Sequence, residues 1–139
     1  MRSIAFATLA LALALAPAVV RAETKSDDSL NKVTVAQLAA MRTKGKATAV
    51  DANGAETRQK YGVIPGAVLL SHYGDYDITK ELPQDHAQKL VFYCANEQCM
   101  ASHKAAHRAI DAGYKNVSIL PAGIMGWKGA GQPTDPSGT

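Results

Sequence analysis

The stretch Lys89-Leu-Val-Phe-Tyr-Cys94, continued by Ala95-Asn-Glu-Gln-Cys99 and Met100-Ala-Ser-His-Lys-Ala-Ala-His107, decides the fold. An apolar run rich in β-formers ends on a cysteine, a few small or polar residues follow, and a second cysteine precedes a helix-forming segment. This order predicts a buried strand that delivers a thiol to a loop at the start of a helix. Backbone N–H groups there lack intrahelical partners, and the helix dipole sets roughly half a positive charge beside the sulfur. Such a site lowers a thiol pKa from about 8.5 towards roughly 3.5–7.5, which makes a nucleophile at neutral pH. Sulfur chemistry is the first expectation.

The chain of 139 residues has room for one ordinary domain. Its start reads differently from the rest. Met1-Arg2-Ser3 is basic, residues 4–16 are almost wholly apolar, Pro17 breaks the run, and Val20-Arg21-Ala22 offers small residues where a signal peptidase reads. A membrane-spanning helix needs about 20 apolar residues, and this run is shorter. We expect residues 1–22 to be a cleaved export signal, 23–31 a flexible lead-in, 32–132 the domain and 133–139 a flexible tail. The destination is periplasmic or secreted. Removing the signal takes away Arg2 and Arg21 and no acid, so the formal charge of +3 falls to +1. The remaining charges are interspersed, which argues against nucleic acid and, after cleavage, against a membrane surface. A monomer is the default for one small exported domain. Both cysteines lie five positions apart in a chain expected to enter an oxidising compartment, where disulfides persist.

Along the chain, Thr34 caps a predicted helix from Val35 to Arg42, and Gly45 ends it. Ala47 to Asp51 reads as a buried strand with Asn53-Gly54 as its turn, and Glu56 to Tyr61 as a short helix. Gly62-Val-Ile-Pro65-Gly66 is a turn, Ala67 to Leu70 a strand, and Ser71 to Gln88 a loose polar stretch with a helical turn near Thr79. Leu90 to Tyr93, a long helix from Met100 to Ala112 ended by Gly113, the strand Asn116 to Leu120 and a short segment Ile124 to Lys128 complete the series. Short apolar strands alternating with helices indicate an α/β fold with a mostly parallel sheet covered on both faces. Ligands in such sheets bind where strand C-termini meet helix N-termini, and Cys94 falls at such a point.

These segments, in this order, resemble the rhodanese-like, or thiosulfate sulfurtransferase-like, family over roughly Val33 to Gln132. Ala49-Val50-Asp51 is similar to the family's first core strand. Tyr61-Gly-Val-Ile-Pro-Gly-Ala67 resembles its hallmark turn, and Val91-Phe-Tyr-Cys94 the strand that carries its cysteine. Ala112-Gly-Tyr-Lys-Asn-Val117 and Ala122-Gly-Ile-Met-Gly-Trp127 resemble its closing elements. The resemblance implies a rhodanese-like fold and a persulfide mechanism. Cys94 would take the outer sulfur of a small donor and pass it to a thiol or cyanide-like acceptor. Amides of the loop through Ala95, Asn96, Glu97, Gln98, Cys99 and Met100 would cradle the extra sulfur. Asp51 would support that loop by hydrogen bonds. The chain departs from the family where arginines often stand, with Asn53 after the strand aspartate and Cys99 at the fifth position after the nucleophile. Arginine's forked donors suit anions, so thiosulfate turnover is expected to suffer, and Glu97 adds a negative charge. Phosphatase relatives close a longer loop with arginine, where this chain has Met100.

Cys99 carries three readings. It resolves a Cys94 persulfide, it cycles with Cys94 as a dithiol–disulfide pair, or it packs as a small apolar residue. Cys99, His103 and His107 are spaced by helical steps that could serve a metal, yet the neighbouring Lys104 and Arg108 make a solvated face the better reading. We expect no metal and no other cofactor. Tyr93, Tyr114 and Trp127 are read as core or rim packing, and His72 and His86 as loop residues.

Overall fold

The computed structural model describes residues 29–137. The expected export signal and residues 23–28 lie outside the described residues. Five strands form one sheet: β1 (Asn31–Lys32), β2 (Thr48–Asp51), β3 (Val68–Leu69), β4 (Leu90–Tyr93) and β5 (Val117–Leu120). Their order is β1-β5-β4-β2-β3 and every pairing is parallel. Among the described residues five helices accompany them: α1 (Val35–Thr43), α2 (Ala55–Tyr61), α3 (Ile78–Glu81), α4 (Ala101–Asp111) and α5 (Gly123–Gly129). Among the described residues, no helix is long and apolar enough to cross a membrane.

β4 is central and buried at all four positions. Its side chains alternate between two cores. Leu90 and Phe92 join Val50, Ile119 and the alanine face of α4, while Val91 and Tyr93 join Leu38 of α1 and Ile124 and Trp127 of α5. A parallel strand covered on both faces needs apolar side chains at consecutive positions, which is why Leu-Val-Phe-Tyr shows no alternation. Burying each of the aliphatic residues stabilises the fold by roughly 1.5–3 kcal/mol.

The helix ends follow their local chemistry. Thr34 caps α1 in a reciprocal box with Gln37, whose side chain accepts from the Thr34 amide at 2.8 Å. Gly113 follows α4 at φ +99°, a conformation that favours glycine. Asp77, rather than the polar stretch around it, starts α3 by accepting from Thr79 and Lys80.

Leu30 and Asn31 of the expected lead-in, and Pro133 and Asp135 of the expected tail, are held in place. Leu30 is buried in the core, and Asn31 and Lys32 pair with Ser118 and Ile119 at the sheet edge. At the other end, the Trp127 indole donates to the Pro133 carbonyl at 2.8 Å. Val63 and Asp135 then form an antiparallel bridge. The chain is therefore fixed from Leu30, and the expected tail is tied down as far as Asp135.

α5 holds the loop after β4 by its own N-terminus. Ile124 N–H donates to the Cys94 carbonyl at 2.8 Å and Met125 N–H to the Ala95 carbonyl at 3.0 Å. This approach leaves no room at Gly123, which sits at φ +62°; an added Cβ would lie 2.5 Å from Ala95 backbone atoms. Gly123→Ala is expected to destabilise the protein by about 2 kcal/mol or more, through strain and overpacking together. Urea denaturation measures it, and an unchanged midpoint would contradict this close packing.

Candidate active site

Cys94 follows the last residue of β4 and is 1 % exposed. Cys99 is half-buried, five residues on, at a Cα–Cα distance of 6.3 Å, and the two are joined as a disulfide. That separation lies within the ordinary span of such a bond. The packing-only reading of Cys99 therefore falls away. Closing so short a loop stabilises a chain by only about 2 kcal/mol in the entropic account. The bond's chemistry is its more informative property.

The loop between the cysteines is organised by Asn96. Its side-chain oxygen accepts from Gln98 N–H at 3.1 Å and its carbonyl from Cys99 N–H at 3.2 Å. Its amide nitrogen reaches Met125 Sδ at 3.7 Å. In this disulfide form the Gln98 and Cys99 amides, two of those expected to cradle sulfur, are engaged within the loop. Ala95 is half-buried, with its carbonyl held by α5, and Glu97 and Gln98 are exposed. Met100 caps α4 and accepts Lys104 N–H at 3.1 Å, with its side chain 44 % exposed. The Cys94 sulfur lies 3.1 Å from the Cys99 carbonyl oxygen and 3.4 Å from the Ser102 hydroxyl. Ser102, in the first turn of α4, has no signal in the local sequence pattern beyond its position on the inward face.

Asp51 stands opposite Tyr93 in the β2–β4 register and is fully buried. One carboxylate oxygen accepts from Asn53 N–H at 2.7 Å and the other from the Tyr93 hydroxyl at 2.7 Å. The same hydroxyl accepts from Ile64 N–H at 3.0 Å. Asp51 thus ties the turn after β2 and the Gly62–Gly66 turn to the strand that carries Cys94. Arg58, which sequence reasoning did not single out, has Nε 3.4 Å from Asp51, a charge contact without an aligned hydrogen bond. Its terminal nitrogen donates to the Asp51 and Leu70 carbonyls at 3.0 and 2.9 Å. Arg42 donates to the Pro65 carbonyl and lies over the Trp127 ring at 5.6 Å, which fixes the same turn from outside.

His103 Nδ1 lies 3.5 Å from Ser102 Oγ, and His107 lines a cleft of about 630 Å³ with Lys104, Arg108 and Asp111, away from the cysteine loop's own residues. His72 stacks on Tyr73 and His86 on Tyr114. Among the described residues, no three His, Cys, Asp or Glu side chains converge on a metal position. A second cleft, of about 290 Å³, joins Glu97 of the loop to Lys32, Val33, Val35, Pro121 and Ala122.

Burial pushes the Asp51 carboxyl above its usual range, and the hydrogen bonds from Tyr93 and Asn53 and the Arg58 charge only partly offset this. Burial and the neighbouring Asp51 likewise raise Tyr93. A carboxyl raised in the folded state favours folding below its unfolded pKa, and that contribution is lost as pH rises through the folded value. The stability of the wild type relative to Asp51→Asn should therefore be lower at neutral pH than at about pH 4, the usual carboxylate value. Urea denaturation of both proteins at the two pH values reads this difference, and a gap independent of pH would contradict it.

Comparison with known families matches residues 34–130 to the Rhodanese-like domain. None of the curated proteins compared with the chain matches it. Among solved structures, the chain is similar to a thiosulfate sulfurtransferase from Pseudomonas aeruginosa, with 22 % identity and a TM-score of 0.67, covering 81 % of this chain and 21 % of that one. A 3-mercaptopyruvate sulfotransferase from Escherichia coli matches with 21 % identity and a TM-score of 0.63, covering 80 % of this chain and 52 % of that one. A protein of unknown function from Rhodopseudomonas palustris, described as a possible tyrosine phosphatase, shares 26 % identity at a TM-score of 0.62, covering 78 % and 87 % of the two chains. The chain thus spans a fifth to a half of the two named sulfur enzymes and most of the third protein. With the family match extending over more than half of its length, and the parallel sheet and cysteine-bearing loop in place, this chain belongs to the rhodanese-like domain family.

Proposed function

We propose that this protein is an exported sulfurtransferase that carries sulfane sulfur as a persulfide on Cys94. The observation that supports it best is the position of Cys94, at the end of the central strand and before the N-terminus of α4, in a chain of this family. In the reaction, the Cys94 thiolate attacks the outer sulfur of a small donor. The donor's S–S bond breaks and its remaining half leaves with the electron pair. A thiolate or cyanide-like acceptor then attacks the terminal sulfur, and Cys94 departs as thiolate. Cys99 acts as a resolving thiol: its attack on the Cys94 sulfur of the persulfide expels hydrosulfide and forms the internal disulfide.

The loop chemistry selects the donor. No arginine occupies the loop, Asn53 stands where the family often has one, and Glu97 is exposed within the loop. A dianion such as thiosulfate gains little here, so a polysulfide is the better donor. Met100 takes the place of the arginine that closes phosphate-binding loops of this fold, which disfavours phosphate chemistry. The Cys94–Cys99 disulfide supports a second reading, a thiol–disulfide switch with no sulfur transfer.

Intact mass separates the two. The reduced protein, incubated with polysulfide, should gain one sulfur that cyanide removes. Cys94→Ser should gain none, and Cys99→Ser should load and hold the sulfur longer than the wild type. Thiosulfate should load at least tenfold more slowly, the order of effect expected from losing one charge-assisted contact of about 1.5–3 kcal/mol. No uptake by the reduced wild type, with a reversible loss of two hydrogens on oxidation, would move the assignment to the switch.

A further inference from the structure

The two sulfurs of the disulfide have different surroundings. Cys94 is 1 % exposed, whereas Cys99 is half-buried and sits between the exposed residues Gln98 and Met100. The Ser102 hydroxyl, on a residue 2 % exposed, lies 3.4 Å from the Cys94 sulfur and 3.5 Å from His103 Nδ1. Ser102 occupies the first turn of α4, so its hydroxyl reaches the sulfur from the positive end of the helix. Thiol–disulfide exchange requires an accessible sulfur for the incoming thiolate and a leaving sulfur able to carry charge. Cys99 has the access. Cys94 has the hydroxyl donor, which acts against the Cys99 carbonyl oxygen 3.1 Å from the same sulfur.

We propose that an external dithiol reductant opens this disulfide at Cys99, and that Ser102 is a catalytic residue that donates its hydroxyl to the departing Cys94 thiolate. The first thiolate of the reductant bonds to the Cys99 sulfur while the Cys94–Cys99 bond breaks, and the electron pair goes to Cys94. The second thiolate of the reductant then attacks its own sulfur in the mixed disulfide. The reductant leaves as a disulfide, and Cys99 leaves as a thiolate that takes a proton from water. Two electrons pass from the dithiol to the protein. The step delivers Cys94 in the charged form that a sulfur donor needs, so it rests on Cys94 being the working sulfur of the preceding section.

The test uses the full chain in its disulfide form. Glutathione, a monothiol that stops at the mixed disulfide, is added with an alkylating agent present to trap the freed sulfur. Cleavage after Glu97 separates the two cysteines for mass spectrometry. Glutathione should be found on Cys99 and the alkyl group on Cys94; glutathione on Cys94 overturns the polarity. Ser102→Ala should slow reduction by dithiothreitol about tenfold and raise the Cys94 thiol pKa, read by thiolate absorbance in a Cys99→Ser background, by about one unit. Ser102→Thr, which keeps the hydroxyl, should restore both. Unchanged rate and titration in Ser102→Ala overturn the role of the hydroxyl. The trapping result on the wild type does not depend on how any variant folds. Failure of persulfide loading with the Cys99 adduct and the Ser102 effect intact would reject the transferase reading alone, and loading with the adduct on Cys94 would reject only the present proposal.

Discussion

The double burial of β4 is the constraint from which the remaining architecture follows. A strand with β2 and β5 on its two edges and apolar cores on its two faces has no freedom of register. A one-residue slip would exchange Leu90 and Phe92 with Val91 and Tyr93 between the cores. It would also move Tyr93 away from Asp51, and with it the hydrogen bonds that locate the Asn53 and Ile64 turns. The position of Cys94 is thus fixed by packing many residues away from any chemistry.

That constraint explains what was legible in the sequence. Leu90–Tyr93 and the strand expected over Asn116 to Leu120 are short apolar runs bounded by polar or turn residues; the first emerges with those limits and the second begins one residue later, at Val117. The helix cap at Thr34 and the stop at Gly113 are local chemistry, visible in a few residues, whereas the cap at Asp77 is hidden inside a polar stretch without periodicity. β1 was not legible. Asn31 and Lys32 are exposed, carry no apolar pattern, and form a strand because β5 offers an open edge. The tail escaped for a similar reason: Gly, Pro and Ser composition suggests freedom, while Pro133 and Asp135 are held by Trp127 and Val63.

The site was legible to the same degree. A cysteine at a strand end before a helix is a sequence feature, and so is its partner five residues on. Arg58 and Ser102 are ordinary polar residues in helical segments, and their importance comes from where the fold carries them. Arg58 joins the ends of β2 and β3, and Ser102 faces the sulfur because α4 begins where β4 ends. Asp51 was noticed for its place after a strand. Its partners are Asn53 two residues on, Arg58 on α2 and Tyr93 on the neighbouring strand, and the last requires the register to be known.

The attachment of the loop to α5 has a consequence for how the redox state of this protein is communicated. The carbonyls of Cys94 and Ala95 are anchored to Ile124 and Met125, and that of Met100 to Lys104. The main chain is thus held on both sides of the span 96–99, which is the part of the loop left to respond when the disulfide opens. That span reaches α5 through Asn96 and Met125, and the cleft beside the edge strand β1 through Glu97. A molecule that distinguishes the oxidised from the reduced protein finds the difference at that arc, where Glu97 and Gln98 face solvent, so the message of this fold is written in four residues.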